Sequence, residues 1–243
     1  MEATLSSNLP DDRQAARTAK LGALLFFTVC VPFVTWGLSY VPSKIFVPQN
    51  ATATANNLLA NEFLFRTGIV SHFVSNITFA FVVLLFYRIF RPIDKHLSRI
   101  MLAPILAQVP IVFVLELFRI TALMILKGGM LMNLDIIQKQ EFVYLLLRMH
   151  GYGIGASQFF WGLYFFPFGM LVYRSGFIPR IFPILMMITG VGYVGDTTAF
   201  ILLQRPDYLM VRPFIVSTFI GGGLTMLWFL IKGVNLRVLD IRD

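Results

Sequence analysis

Long apolar runs, separated by short polar segments, recur along the whole chain. A helix that crosses a bilayer needs about 20 consecutive, mostly apolar residues. Six runs satisfy this requirement, and each is bounded by charged or turn-forming residues. They extend approximately from Leu21 to Val41, Thr67 to Phe90, Ile100 to Leu126, Phe142 to Tyr173, Ile178 to Leu203 and Pro213 to Ile231. The pattern predicts an all-α fold, a polytopic membrane helix bundle with six transmembrane helices.

The polar segments predict the domain organisation. Residues 1–20 form a cytoplasmic tail, residues 21–232 the six-helix transmembrane domain, and residues 233–243 a second cytoplasmic tail. The first apolar run is interpreted as a retained helix, because no small-x-small cleavage site closes it. The longest link, from Pro42 to Glu62, contains the stretch PQNATATANN. Its turn-forming residues predict a weakly structured loop on the outer side.

Composition strengthens the membrane assignment. Hydrophobic residues make up 57% of the 243 positions and charged residues only 13%, whereas soluble domains carry roughly 25% charged residues. The expected partner is therefore the lipid bilayer, and the net charge of +8 is not interpreted as nucleic-acid binding. The single cysteine, Cys30, excludes an intrachain disulfide.

The basic residues predict the orientation, because cytoplasmic loops carry an excess of Lys and Arg near the helix ends. The larger set, assigned to the cytoplasmic side, comprises Arg13, Arg17, Lys20, Arg88, Arg91, Lys95, Arg99, Arg174, Arg180, Lys232, Arg237 and Arg242. The smaller set on the opposite side comprises Lys44, Arg66, Lys127, Lys139, Arg148, Arg205 and Arg212. Both termini are therefore predicted to be cytoplasmic.

Polar and ionisable residues within the predicted spans are the main functional signal. Such residues are costly at membrane depth and usually face the interior of a bundle. With the predicted orientation, the second to fifth spans place them in the outer half or near the middle of the bilayer. The candidate ligand-binding residues are His150, Glu116, Arg119, Asp196, Gln158 and Asn76. They predict a polar pocket for a small-molecule or amphipathic lipid-like ligand.

Two other interpretations remain open at this point. The polar residues can form a self-satisfied network in a structural or accessory subunit, with Glu116 and Arg119 paired one turn apart; alternatively, Arg119 pairs with Asp196. The third interpretation is a zinc-dependent intramembrane hydrolase, with zinc as cofactor and with His72, His150 and Asp196 as metal ligands. Glu116 is a further carboxylate for that ligand set. The sequence alone does not identify a reaction.

The surroundings of His150 predict how its helix packs. Gly151 and Gly155 form a G-x-x-x-G pair, which Gly162 and Gly169 continue, and stripes of small residues allow membrane helices to approach closely. The Phe-rich run SQFFWGLYFFPFG, in contrast, is typical of lipid-facing and interface positions.

Several spaced motifs resemble a family of bacterial membrane proteins, domain of unknown function 4386. They are Arg66-Thr-Gly-Ile69, His150-Gly-Tyr-Gly153, Phe160-Trp-Gly-Leu163, Ser175-Gly-Phe-Ile-Pro-Arg180, and Gly190-Val-Gly-Tyr193 followed by Asp196. The similarity covers nearly the whole chain. It implies a location in the bacterial inner membrane and a multi-helix fold without an assigned activity.

Overall fold

The computed structural model describes residues 12–176, 178–203 and 219–234, and every regular element in these ranges is helical. The predicted all-α class is confirmed. In chain order the helices are α1 (Arg13–Ile45), α2 (Ala51–Ala60), α3 (Glu62–Phe90), α4 (Lys95–Leu126), α5 (Ile136–Ser175), α6 (Ile181–Leu203) and α7 (Leu224–Ile231). A π-helical segment, Phe219–Gly223, directly precedes α7.

Four of the described helices are long and apolar enough to cross a membrane, namely α1, α3, α4 and α6. Each contains most or all of one predicted span. α5 covers the fourth predicted span and is the longest helix, with 40 residues, but it is not among the four. The chain therefore has the character of a membrane protein.

Some sequence predictions fall outside the described residues. These are residues 1–11 and 235–243 of the two tails, residues 213–218 of the sixth predicted span, and the basic residues Arg205 and Arg212. Residues 12–20, which were assigned to the N-terminal tail, are helical and continue directly into the first predicted span.

The prediction of a weakly structured loop between Pro42 and Glu62 is wrong for most of its length. Residues Ala51–Ala60 form helix α2. Its N-cap is Asn50, whose side-chain oxygen accepts a hydrogen bond from the Ala53 N–H at 2.8 Å. Asn is a favoured N-cap because its side chain satisfies one of the free N–H groups of the first turn. The turn-forming residues that suggested a loop therefore mark a helix start.

Two prolines shape α1. π-helical segments, Phe26–Cys30 and Trp36–Tyr40, lie in the turns before Pro32 and Pro42. Proline has no N–H and clashes with the carbonyl four residues earlier. A wider turn accommodates this clash, and at the second site the Val41 N–H donates to the Trp36 carbonyl, five residues back. α1 therefore remains one helix with locally unwound turns.

The chain divides into two compact units, and α1, α3, α4 and α5 contribute residues to both. The first unit comprises residues 1–27, 79–108 and 157–243; the second comprises residues 28–78 and 109–156. Each unit has its own packing.

Aromatic side chains and close glycine contacts characterise the first unit. Phe86 lies 5.5 Å from Phe168 and 5.1 Å from Phe229, measured between ring centroids. Phe168 is fully buried and Tyr164 nearly so, so the prediction that the Phe-rich run faces lipid is wrong for these residues. A Cβ atom on Gly162 would lie only 2.7 Å from the carbonyl oxygen of Gly190 on α6.

The glycines of α5 thus explain its close contact with α6. A Cβ atom on Gly169 would lie 2.8 Å from the Pro183 carbonyl oxygen. The close approach that the sequence predicted is confirmed at Gly162 and Gly169. It is wrong for Gly151, where an added Cβ atom would meet nothing within 4 Å.

Mostly aliphatic residues form the core of the second unit, with contributions from α1 to α5. The buried members are Val41, Ile45, Leu58, Phe65, Ile69, Ala122, Leu123, Ile125 and Val143. This core lies among the helices that carry His72, Glu116, Arg119 and His150, and all four of these side chains belong to the second unit.

Candidate functional site

The carboxylate of Glu116 is the centre of a buried polar cluster in the second unit. Its Oε1 atom lies 2.6 Å from Nδ1 of His72 on α3 and 3.0 Å from Nε2 of His150 on α5. An ionised carboxylate can only accept hydrogen bonds, so both imidazoles donate to the same oxygen atom. Three helices are therefore joined at a single atom.

Arg119 binds the other carboxylate oxygen. It lies one turn after Glu116 on α4, and its Nη1 atom is 3.3 Å from Oε2. Its guanidinium carbon lies 4.8 Å from the centre of the Phe65 ring, a distance suited to a cation–π interaction. The internal pairing of Glu116 with Arg119, one of the two pairings that the sequence allowed, is thus present.

Glycines allow the surrounding helices to come close to this cluster. A Cβ atom on Gly68 of α3 would lie 2.8 Å from Nη2 of Arg119. On α1, a Cβ atom on Gly37 would lie 2.7 Å from the Gly68 carbonyl oxygen and 3.2 Å from the His72 backbone nitrogen. Gly37 lies within the π-helical segment before Pro42. The irregularity of α1 therefore occurs where α1 contacts the backbone of α3 beside His72.

α5 approaches α4 through a different glycine. A Cβ atom on Gly153 would overlap the side chain of Leu115, at 2.1 Å. Leu115 directly precedes Glu116, and Gly153 follows His150 by one helical turn. The absence of a side chain at Gly153 thus lets α5 bring His150 to the carboxylate. This is the physical role of the second glycine in the motif HGYG.

Burial makes any unpaired charge in the cluster costly in free energy. Glu116 is fully buried, and His72, Arg119 and His150 are between 2% and 8% exposed. Taking charged groups out of water costs several kcal/mol per ion, so a buried pair often stabilises a protein no more than well-packed apolar residues do. Here two imidazole N–H groups and one guanidinium N–H compensate the carboxylate.

The same cluster contains a set of metal-ligating atoms. One nitrogen atom from each of His72 and His150 and one oxygen atom of Glu116 all lie within 4.8 Å of one another. Two imidazoles and one carboxylate form a ligand set found in zinc sites that keep one coordination position open. The carboxylate in this set is Glu116; Asp196, the carboxylate of the predicted metal set, belongs to the first unit.

The other predicted ligand-binding residues have different surroundings. Asn76 belongs to the second unit, and its side-chain oxygen is buried and has no hydrogen-bond partner within the described ranges. Gln158 and Asp196 belong to the first unit. Asp196 is 8% exposed, and its Oδ1 atom has no hydrogen-bond partner in the described part of the chain. With Phe166 and residues of α6, it lines an open, mostly apolar groove of about 630 Å³.

Sequence reasoning missed three contributors to the cluster. Gly37, Phe65 and Gly153 support His72, Arg119 and His150 respectively. Phe65 lies one turn before Ile69, which also belongs to the core of the second unit, so helical periodicity could have indicated its direction. The contact of Gly37 depends on the π-helical turn, and no periodic pattern carries that signal.

Comparisons with known proteins identify the family of the chain. The sequence model of the family described as "Domain of unknown function (DUF4386)" matches residues 21–233. An uncharacterized protein of Archaeoglobus fulgidus is 35% identical over 77 residues, which are 32% of this chain and 44% of that relative's own length. No solved structure matches the chain. Because the family match covers nearly the whole chain, including all four residues of the cluster, the protein belongs to the DUF4386 family.

Proposed function

We propose that this protein is a six-span integral protein of the bacterial inner membrane that binds a small or amphipathic ligand. The spans are α1, α3, α4, α5, α6 and the last helix, with both termini in the cytoplasm. Four of these helices have the length and hydropathy of membrane spans. The excess of basic residues near the inner helix ends supports the orientation.

Contacts at the helix ends support an alternating arrangement of the spans. At one side, Arg174 at the end of α5 donates to Asp94, which directly precedes α4. At the other, Lys127 just after α4 lies 3.0 Å from Glu62 at the start of α3. Each contact joins two links that the six-span topology assigns to the same side of the membrane.

The observation that carries the proposed ligand site is the convergence of His72, Glu116, Arg119 and His150. These four ionisable side chains come from three helices, and all are buried. Ionisable residues at membrane depth usually mark substrate paths, ion paths or ligand sites. His150, whose side chain is 10% exposed, is the member nearest to the surface, and the adjacent Gly151 has free space around it. A ligand would therefore approach from the side of α5.

A structural role is the second candidate, because one observation favours it. Each of the four side chains already has a partner within the cluster. A self-satisfied network would join α3, α4 and α5 without binding a ligand. The two candidates differ in what the cluster contributes to stability.

Replacing the whole cluster by apolar residues separates the two roles. The combined variant is His72→Leu, Glu116→Leu, Arg119→Met and His150→Leu, and its melting temperature is compared with that of the wild type in the same detergent. If the cluster is retained for ligand binding, the combined variant is as stable as the wild type or more stable, because apolar replacement of buried ions is often neutral or favourable. If the cluster is a structural tie, the combined variant melts at a clearly lower temperature.

A single substitution serves as the control. Glu116→Leu leaves Arg119 buried without its carboxylate, so this variant is expected to be destabilised in either case. Recovery of stability from the single to the combined variant then shows that the loss comes from an uncompensated charge and not from poor packing of leucine at this position.

A further inference from the structure

We propose that His72, Glu116 and His150 bind one divalent transition-metal ion of the zinc class. This inference rests on the proposed function, because it names the ligand of the same cluster. It does not depend on the reaction, if any, that the site supports. Nδ1 of His72, Nε2 of His150 and Oε1 of Glu116 are the proposed ligand atoms.

The positions of these atoms are close to those of a metal site. The two nitrogen–oxygen distances are 2.6 and 3.0 Å, and one nitrogen atom of each imidazole and one oxygen atom of Glu116 lie within 4.8 Å of one another. Zinc–ligand bonds of about 2.0 to 2.2 Å in tetrahedral geometry place ligand atoms about 3.3 Å apart. Side-chain rotations that separate the oxygen from both nitrogens, and adjust the spacing of the two nitrogens, would admit the ion.

The chemistry of the ligand atoms fits the same conclusion. The two imidazoles lie edge to face, with their ring centroids 6.4 Å apart, and both direct a nitrogen atom at Glu116. Imidazole nitrogen and carboxylate oxygen are the ligands that zinc takes in sites with three protein ligands. To bind the ion, each neutral imidazole would carry its proton on the ring nitrogen that faces away from Oε1, so that the nitrogen now donating to Glu116 offers its lone pair to the metal.

Arg119 has a defined role in such a site. Its Nη1 atom lies nearer to Oε2 (3.3 Å) than to Oε1 (3.5 Å), so it holds the carboxylate by the oxygen that does not face both imidazoles. Hydrogen bonds to the second oxygen of a ligating carboxylate commonly orient it. A divalent ion, one carboxylate and one guanidinium together carry a charge of about +2. The fourth coordination position would therefore favour a hydroxide, carboxylate or phosphate oxygen.

The chain contains three histidines, which provides a matched control. His72 and His150 belong to the cluster, whereas His96 is exposed near the start of α4. The experiment uses the full chain, purified in detergent with an affinity tag that contains no histidine. Metal is removed with a chelator, one equivalent of Zn²⁺ or Co²⁺ is added, excess is removed by gel filtration, and bound metal is measured by plasma mass spectrometry.

The proposal predicts one equivalent of metal in the wild type and in His96→Ala. It predicts a loss of at least tenfold in His72→Ala, Glu116→Gln and His150→Ala. In the wild type, Co²⁺ should give the intense visible absorption of a four-coordinate ion with nitrogen and oxygen ligands. Equal retention of metal in the cluster variants and the wild type would overturn the proposal.

The wild-type protein decides the question even if the cluster variants fail to fold. Absence of saturable Co²⁺ uptake, or a spectrum of a six-coordinate ion, contradicts the metal site. That result would leave the proposed ligand site intact if the combined apolar variant remains stable. Conversely, metal binding together with a strongly destabilised combined variant would show a metal site that also joins the helices. The metal proposal and the ligand-site proposal therefore fail in distinguishable ways.

Discussion

Nδ1 of His72 lies 2.6 Å from Oε1 of Glu116, although the two residues are 44 positions apart in the chain. His150 shares the same oxygen atom at 3.0 Å. The carboxylate thus accepts two imidazole hydrogen bonds on one oxygen and the guanidinium of Arg119 on the other. This arrangement connects the fold of the second unit to its chemistry.

The first prediction concerns the carboxylate. Glu116→Leu removes the charge that compensates Arg119, so the free energy of unfolding should fall by about 3–5 kcal/mol. Unfolding in mixed detergent micelles, followed by tryptophan fluorescence, measures this change. Glu141→Leu, at an exposed position of α5, is the control and should change stability by less than about 0.5 kcal/mol. Similar losses in both variants would argue against a special role for Glu116.

The second prediction concerns the glycine contact between α1 and α3. In Gly37→Ala, the new methyl group would lie 2.7 Å from the Gly68 carbonyl oxygen. Because the obstacle is backbone, α1 must shift, and overpacking of this kind costs about 1–3 kcal/mol. Gly151→Ala is the matched control, since its methyl group meets nothing within 4 Å, and alanine favours the helix by up to about 1 kcal/mol. Melting temperatures of the two variants should therefore change in opposite directions.

The third prediction concerns the cap of α4. Asp94 accepts a hydrogen bond from the Leu97 N–H at 2.9 Å, and this bond, together with the nearby Arg174, holds the pKa of Asp94 below its ordinary value. Asp94→Ala should cost about 1 kcal/mol. Because the pKa is lowered in the folded state, the contribution is fully present above the ordinary Asp pKa and is lost as the pH falls through the lowered value.

A pH series of unfolding measurements checks this dependence. The difference in stability between the wild type and Asp94→Ala should be constant near neutral pH and should shrink at acidic pH. A difference that grows on acidification would contradict the assignment of Asp94 as an ionised cap. Arg174→Ala should have a smaller effect, within about 1 kcal/mol, because the pair is exposed to solvent.

The fourth prediction concerns topology. Cys30 is the single cysteine and is buried, so a Cys30→Ala background allows new cysteines to be placed at chosen links. In intact cells, a membrane-impermeant maleimide should label Asn133→Cys, which lies between α4 and α5. It should label His96→Cys, at the start of α4, only after lysis. The reverse pattern would invert the orientation.

The sequence predicts the depth of the polar residues in the membrane well, because depth depends only on the position of a residue along its helix. The spacing within each span placed His72, Glu116, Arg119 and His150 at similar depths, and the structure brings these four into contact. It could not predict that both imidazoles meet the same oxygen, because that depends on the rotation of each helix about its axis. Asp196 has a similar predicted depth, but depth alone does not show that it belongs to the first unit and the cluster to the second.

Local irregularities explain most of the other differences. α2 was interpreted as a loop because Asn50 and its neighbours are turn formers, and the same residues also cap helices. The π-helical turns of α1 follow from Pro32 and Pro42, but a hydrophobic pattern does not contain them. The sequence predicts a close helix contact at Gly151. In the structure the close contact is at Gly153, which faces Leu115 of α4.

The central claim, that the cluster binds a metal ion, is tested most directly by the effect of zinc on stability. The chelator-treated wild type and Glu116→Gln are melted with and without Zn²⁺. A ligand present at 100 times its dissociation constant stabilises the folded state by about 2.7 kcal/mol. The account predicts a clear rise in the melting temperature of the wild type and none for Glu116→Gln. An equal rise in both proteins, or none in the wild type, would contradict it.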